Sequence, residues 1–483
     1  MVGRRRFFTV HRFIMLVISL VFTGLFPTWP LAAAENVLMH PDKLKYGLLH
    51  FRPPQAQRTV LENGMILYTL TDRELPLVNI TVIVRTGTMY DPPGKEGLSD
   101  MTAGVMRTGG AGNLKGDDVD EALEFTASTI SPSSSTESTS WSVSVIKKDL
   151  SQTMDIFSKI LLSPNFEEAK LRISKELKLE EIRRITDDPQ KFAFREFNRL
   201  LYEGNPRGRQ TSLSSIRNIT REDLVKFHDI FYYPRNIMVA VSGDISQKEA
   251  VDMMNRHFGD WRKSGSVVSI APPSSVIPGP IHYLVKDTPQ SIVIMGQMAP
   301  AKSSPEHYAF EVLDHMIGSG GFGSRIFQEV RTNRGLAYAT GSFYRARADY
   351  GAFGTYAMTK TESAPMALAL IRSILERSRD FPASQKELDM AKKSIINSFI
   401  FEYQSSHQIA FQQMMLEYNK LQPDFLTSYC SHIDRITISD VLNTAKNHLH
   451  PSGNTTLVLG TEAGYDHLSK TYKNIKKLRI NND

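Results

Sequence analysis

One cysteine, Cys430, serves all 483 residues, so no disulfide forms within the chain. Stability must come from a large core, and Cys430 reads as a small buried hydrophobe. No nucleophile signature surrounds it. A phosphate loop is also missing, because no Gly-Lys-Ser/Thr follows the glycine-rich stretch 318–323. Surplus positive charge is scarce once its source is located. The formal charge is +6, but Arg4, Arg5, Arg6 and Arg12 crowd the first residues, and without them it falls to +2. That balance does not argue for nucleic acid as a partner. Phe13 to Phe26 is apolar but shorter than the roughly 20 residues a membrane span needs.

What is present begins with that N-terminal pattern. The four arginines form a basic n-region, Phe13 to Phe26 an apolar h-region, and Ala32-Ala33-Ala34 a small-residue cleavage site. Residues 1–34 are therefore expected to be a signal peptide, with an uncleaved anchor as the alternative. Arg4-Arg5-Arg6-Phe7 also resembles a twin-arginine signal. The expected destination is export, to the periplasm, with no stable membrane span after cleavage. Residues 35–57 form a lead-in without strong pattern.

The remaining length is too great for one ordinary core, so two domains are expected. Residues 59–72 read as two strands turning at Asn63-Gly64, and 75–85 as a half-buried strand. Helical periods follow at 119–128, 150–162, 166–186, 192–202, 221–231 (with a capping signal at Thr220) and 248–258. The stretch 263–280, KSGSVVSIAPPSSVIPGP, is rich in Ser, Pro and Gly and reads as a linker. Beyond it the pattern restarts. A strand is expected at 291–296 and helices at 307–317, 324–332, 364–379 and 385–421. Ile219-Thr220 followed by Asp223 recurs as Ile436-Thr437 followed by Asp440. Pro234, Asn236 and Gly243 recur as Pro451, Asn454 and Gly460. The repetition implies two related α/β units, 58–262 and 281–483, in an α+β chain.

Chemistry is concentrated, by its absence, in GLSDMTAGVMRTGG at 97–110. It reads as a helix start, with Ser99 and Asp100 as capping oxygens. Ser131 to Val145 admits two readings: a polar loop feeding a strand, or an edge strand that accepts an extended peptide. His307, Glu311 and His315 share a helix face at i, i+4 and i+8. The outer two lie about 12 Å apart along the axis, too far for one ion, so a surface face is expected. His448 and His450 read as ordinary members of a closing helix.

Asn63-Gly64, Gly87-Thr88, Gly97-Leu98, Ile219 to Leu224 and the Pro234-to-Gly243 strand resemble the first repeat of the insulinase–pitrilysin family of zinc peptidases. GSRIFQEVRTNRGLAY, residues 323–338, is similar to the peptide-binding signature of its second repeat. The resemblance implies two homologous units of antiparallel-rich sheet and helix, one half of a clam-like chamber. It also implies that an H-x-x-E-H zinc helix belongs at Gly97, where two His bind the metal and the Glu activates a water. Here the first His position is Asp100, the Glu position Ala103 and the second His position Gly104. Glu181, with Glu180 next, is the best-placed candidate for the family's third ligand, but one carboxylate makes no zinc site, and both read as solvated or paired charges on a charged helix. The His-Pro-Tyr-Gly segment is altered to Asn205-Pro206-Arg207-Gly208. Arg331 and Tyr338 occupy the positions that hold substrate backbone.

The implied function is a non-catalytic subunit of an exported heterodimeric zinc peptidase. It binds no metal itself, and zinc is expected in a partner subunit of the same family that carries H-x-x-E-H. Arg331 and Tyr338 would position the peptide substrate. The alternative is an inactive homologue that acts as a scaffold or peptide-binding protein.

Overall fold

The computed structural model describes residues 52–274 and 279–480. The expected signal peptide, its cleavage site and most of the 35–57 lead-in lie outside them, as do residues 275–278 of the expected linker. Among the described residues no helix is long and apolar enough to cross a membrane.

Two six-stranded mixed sheets organise the chain. The first contains β1 (Gln57–Val60), β2 (Ile66–Thr71), β3 (Leu77–Val84), β4 (Thr129–Ser134), β5 (Thr139–Ile146) and β6 (Ile237–Gly243), in the order β1-β2-β6-β3-β5-β4. The second contains β7 (Ile281–Val285), β8 (Ser291–Ala299), β9 (Ala337–Ala346), β10 (Gly351–Thr359), β11 (Thr455–Gly460) and β12 (Ile475–Leu478), in the order β12-β7-β11-β8-β10-β9. Strand directions match through five positions. β2 pairs parallel with β6 as β7 does with β11, and every pairing from there to β4 or β9 is antiparallel. The sheets differ at the outer edge. β1 folds back antiparallel on β2, whereas β12 joins β7 in parallel.

The sequence repeat has a structural cause. Helices Arg221–Phe231 and Ile438–His448 each start with a capping box, Thr220 with Asp223 and Thr437 with Asp440. Each satisfies backbone groups that the first turn leaves unpaired, and each helix then feeds the central strand β6 or β11.

The halves do not close their cores separately. Helix Pro189–Leu201 follows the first sheet's elements in sequence but packs on the second sheet. Phe192, Phe197 and Leu201 are buried there among Leu284, Ile292, Ile294 and Leu457. Gly296 of β8 makes room, since a Cβ there would meet the Phe197 ring at 2.6 Å. Helix Ser406–Tyr418 returns the exchange onto the first sheet. His407 bonds Thr81 and Ser242 through its two ring nitrogens, at 2.8 and 2.9 Å. Glu417 receives the Arg58 guanidinium and the Tyr68 hydroxyl. Each sheet thus completes its face with a helix from the other half.

Several elements differ from expectation. The 385–421 period is two helices, Gln385–Phe399 and Ser406–Tyr418, because the second turns onto the other sheet. His307–Asp314 continues as a π-helical turn, His315–Ser319, and Phe327–Asn333 is also π-helical. Cys430 is half-buried, short of the full burial its sequence suggested.

Candidate functional site

Helix Leu98–Thr108 begins after Gly97, whose φ of +105° is left-handed and suits glycine. Its cap is not Ser99 or Asp100. Asp91, upstream, accepts from the Gly97 and Ser99 amides at 2.7 and 2.8 Å. The helix buries Leu98, Met101, Ala103 and Val105 against the first sheet and presents Asp100 and Gly104 toward helix Glu168–Arg183. Ala103 is 1% exposed, and nothing lies within 4 Å of where a Gly104 side chain would start.

Lys178 resolves what the remaining carboxylates do. Its ammonium lies 2.7 Å from Asp100 and 2.8 Å from Glu181. The first-His position and the third-ligand position therefore share an internal cation. Ala103 offers no base and Gly104 no donor atom, so the residues here do not fit zinc, which needs three or four ligands. Among the described residues no group of three His, Cys, Asp or Glu is arranged to hold a metal ion. Glu180 pairs with Arg184 at 2.7 Å on the outer face of its helix. Sequence reasoning missed Lys178. Its signal was the i, i+3 spacing to Glu181, unremarkable on so charged a helix.

Beside this helix runs the edge strand β4, so Ser131 to Ser134 are strand rather than loop. The hairpin closes with the Ser135 amide on the Ser138 carbonyl, and Ser133 opposes Ser140. Residues 129, 131 and 133 thus face β5, and Ile130, Pro132 and Ser134 face outward. The Ile130 carbonyl is taken by Arg107 at 2.8 Å, and Arg107 also holds Asp120 at 2.7 Å. Pro132 has no amide hydrogen. An added strand needs an unbroken alternation of donors and acceptors, and this edge has lost one of each.

Arg331 and Tyr338 come together on the second half. Ala337 pairs with Thr359 and Ala339 with Met358, which leaves Tyr338 as the extra residue of a β-bulge. A bulge re-aims its side chain, and Tyr338 is 74% exposed. The Arg331 guanidinium lies 5.6 Å from the Tyr338 ring and 4.8 Å from the Phe327 ring. Phe322, also exposed, packs edge-on against Phe327 at 4.8 Å. Neither the guanidinium nor the phenol is hydrogen-bonded to another described residue, so both are free to engage a partner. Arg325, in the same signature, is structural: it grips Glu387 through two bonds of 2.6 and 2.8 Å.

His307 does not lie on a surface face. It is 4% exposed, beneath a cavity of about 670 Å³ that Glu311, Asp314 and His315 also line. The Tyr344 hydroxyl donates to the Pro300 carbonyl at 2.8 Å, so at 3.1 Å it accepts from His307 Nδ1. That leaves Nε2 as a bare acceptor, 3.5 Å from Glu311 Oε2. Burial drives the His307 pKa down to about 3 and the Glu311 carboxyl up to about 7. Both groups are thus pushed toward their neutral forms; Glu311 Oε1 accepts from the Tyr429 hydroxyl at 2.6 Å, while His307 Nε2 and Glu311 Oε2 are buried without a hydrogen-bond partner among the described residues. His448 ends its helix paired to Glu306 at 2.6 Å, and His450 lies just beyond the helix.

A family model described as insulinase, peptidase family M16, matches residues 68–213. A second, described as peptidase M16 inactive domain, matches residues 218–395. An uncharacterised zinc protease of Mycobacterium leprae is 27% identical over 331 residues, or 67% of this chain and 74% of that protein. Among solved structures, the peptidase M16 inactive domain from Pseudomonas fluorescens superposes with a TM-score of 0.77 at 21% identity, covering 84% of this chain and 98% of that one. The periplasmic protease PqqL from Escherichia coli superposes with a TM-score of 0.71 at 15% identity, covering 87% of this chain and 48% of that one. At such identities the structural likenesses establish the fold.

Proposed function

The chain belongs to the insulinase family, peptidase family M16, as a homologue of its inactive domain, and from that premise we propose that it is a non-catalytic subunit holding peptide for a zinc-bearing partner. The observation that carries this reading is the contrast between its two halves. Asp100, Ala103 and Gly104 offer no metal site, and Lys178 bridges the Asp100 and Glu181 carboxylates. Arg331 and Tyr338 stay exposed, adjacent and unpaired at the bulge of β9. A guanidinium donates to a peptide carbonyl and a phenol polarises one, so the pair fixes a scissile bond without supplying a nucleophile. Zinc, in the partner chain, would activate the attacking water.

On this reading the mature chain starts at Glu35, after export. The leader pattern supports this, and a structural neighbour is described as a periplasmic protease. One observation favours a second reading, an inactive homologue acting as a scaffold. The β4 edge is blunted by Arg107 and Pro132, which removes one route for holding peptide.

The test is co-purification of the mature chain from its native extract, followed by peptide hydrolysis assays. The chain alone is expected to be inert, and the complex active. Tyr338→Phe is expected to lower turnover of the complex by about tenfold or more without dissociating it. Unchanged turnover sinks the positioning role and leaves the scaffold. Hydrolysis by the chain alone, with stoichiometric zinc, overturns both readings.

A further inference from the structure

Where the two halves meet, a cavity of about 230 Å³ is lined by Arg207 and Arg209 from the first half and by Arg345, Arg347 and Tyr350 from the second. Tyr202, Arg209 and Gln210 are shared with a larger neighbouring cavity of about 730 Å³, which adds Arg195 and Arg479. Four guanidinium groups around so small a space repel one another unless something negative joins them.

The carboxylates that line the two cavities are too few to balance that charge. Arg207 has its own partner, Glu137 at 2.8 Å, and lies 4.9 Å from the Tyr350 ring. Asp91 spends both oxygens on the Gly97 and Ser99 amides. Glu96 accepts from the Gly94 amide. Among the described residues no carboxylate lies within ion-pair distance of Arg195, Arg209, Arg345 or Arg347. Arg195 shows the shortfall most clearly. One of its terminal nitrogens reaches the Thr211 carbonyl, while its Nε is buried with no acceptor. A buried donor left unpaired is costly. Arg209 reaches only the Asp91 carbonyl. In the larger cavity Glu196 is held by Arg199, while exposed Glu203 and one Glu96 oxygen carry no bond among the described residues. Guanidinium groups still outnumber carboxylates in the groove, so positive charge and donors are in excess. Helix attraction is not the source, since Asp91 already occupies the first amides of Leu98–Thr108.

We propose that this groove binds a peptide carboxylate, from an acidic side chain or a C-terminus, with Arg345 and Arg347 closing on it from the second half. A guanidinium fork fits two carboxylate oxygens at once. The proposal rests on the peptide-holding reading and adds a substrate class to it: acidic peptides, held beside the degenerate helix that Gly97 opens.

The test uses the full mature chain and fluorescein-labelled peptides. One contains Glu residues and ends in an amide. A second replaces Glu by Gln, and a third has Gln with a free C-terminus. At low salt the Glu peptide is expected to bind about tenfold or more tighter than the Gln amide, with the preference falling steeply as salt rises. In Arg345→Gln/Arg347→Gln, whose altered side chains are exposed, the preference should shrink to about twofold or less. Binding of the free-C-terminus peptide but not the Glu amide assigns the groove to chain ends. Equal affinity for all three peptides, or a preference that survives the double substitution, overturns the proposal. Sodium glutarate separates the two readings. If no peptide binds, but glutarate raises the melting temperature of the wild type and not of the double variant, the groove stands and peptide holding fails. If neither peptide nor glutarate binds, the groove is refuted as well.

Discussion

Replacing Lys178 by Met removes the internal cation and keeps most of its stem. The Lys178 side chain is 22% exposed, Asp100 40% and Glu181 63%, so water screens both pairs and neither is worth a buried ion pair. Each bond contributes about 0.5 kcal/mol on that basis. The larger effect is repulsion. Both carboxylates touch one nitrogen, so they lie no more than about 5.5 Å apart, and two like charges at that distance cost about 1 kcal/mol in a well-hydrated setting. Lys178→Met should therefore destabilise the chain by about 1.5–2 kcal/mol in urea unfolding at pH 7. Asp100→Asn in the same background should recover about half, which gives a positive coupling in a double-mutant cycle. The same geometry sets the terms for a metal. Asp100→His with Gly104→His, read with Glu181, supplies three ligands on facing helices. With Lys178 in place, zinc must displace an ammonium from between them. Zinc affinity measured against a chromophoric chelator is expected to be at least about 100-fold weaker than after Lys178→Met is added. A Lys178→Met variant as stable as the wild type, with no coupling to Asp100, would refute the idea that Lys178 stands in for the missing metal. So would equal zinc affinity with and without Lys178.

Two further outcomes follow from the core and from the buried acid. Phe197 is fully buried across the exchanged helix, so Phe197→Ala should cost about 3–5 kcal/mol and lower the urea midpoint of both halves together, read by tryptophan and far-UV signals. Separate transitions would show that the exchange does not couple them. Glu311 has its carboxyl raised to about 7 from an ordinary 4.5 by burial, so its neutral form is the one the fold favours. Its contribution is fully present below pH 4.5 and is lost as pH rises toward 7. The stability difference between wild type and Glu311→Gln should accordingly move against the wild type by about 1–3 kcal/mol across that window. A flat difference would mean that Glu311 titrates in the fold as it does in the unfolded chain.

The fold was legible where local rules and the global arrangement agree. Thr220 with Asp223 and Thr437 with Asp440 marked two helix starts that the structure places at Arg221 and Ile438. Asn63-Gly64 marked the β1–β2 turn. The failures have physical causes. A π-helical turn keeps nearly the same apolar spacing as an α-helix, so His315–Ser319 and Phe327–Asn333 could not be told apart from α by period. The cap of Leu98–Thr108 came from Asp91, six residues before Gly97, where no local capping rule looks. The apolar stripe of Pro189–Leu201 announced burial but not which sheet would bury it. His307 was read as a surface residue because its i, i+4, i+8 spacing excluded one ion; spacing could not show that burial pushes both His307 and Glu311 toward their neutral forms.

The candidate site shows the same division between pattern and partnership. Asp100, Ala103 and Gly104 announce in one dimension that a metal helix has lost its donors. Only the fold shows that Lys178 fills the charge gap, and that Arg107 and Pro132 close the strand beside it. These changes act together. Two facing helices that bring two carboxylates together without a metal need a cation between them, and an edge strand is safer without free hydrogen-bonding groups. The second half has not been closed in this way, since Arg331 and Tyr338 face outward with their polar groups unspent. Unequal closure of the two halves is the observation on which the proposed positioning role rests.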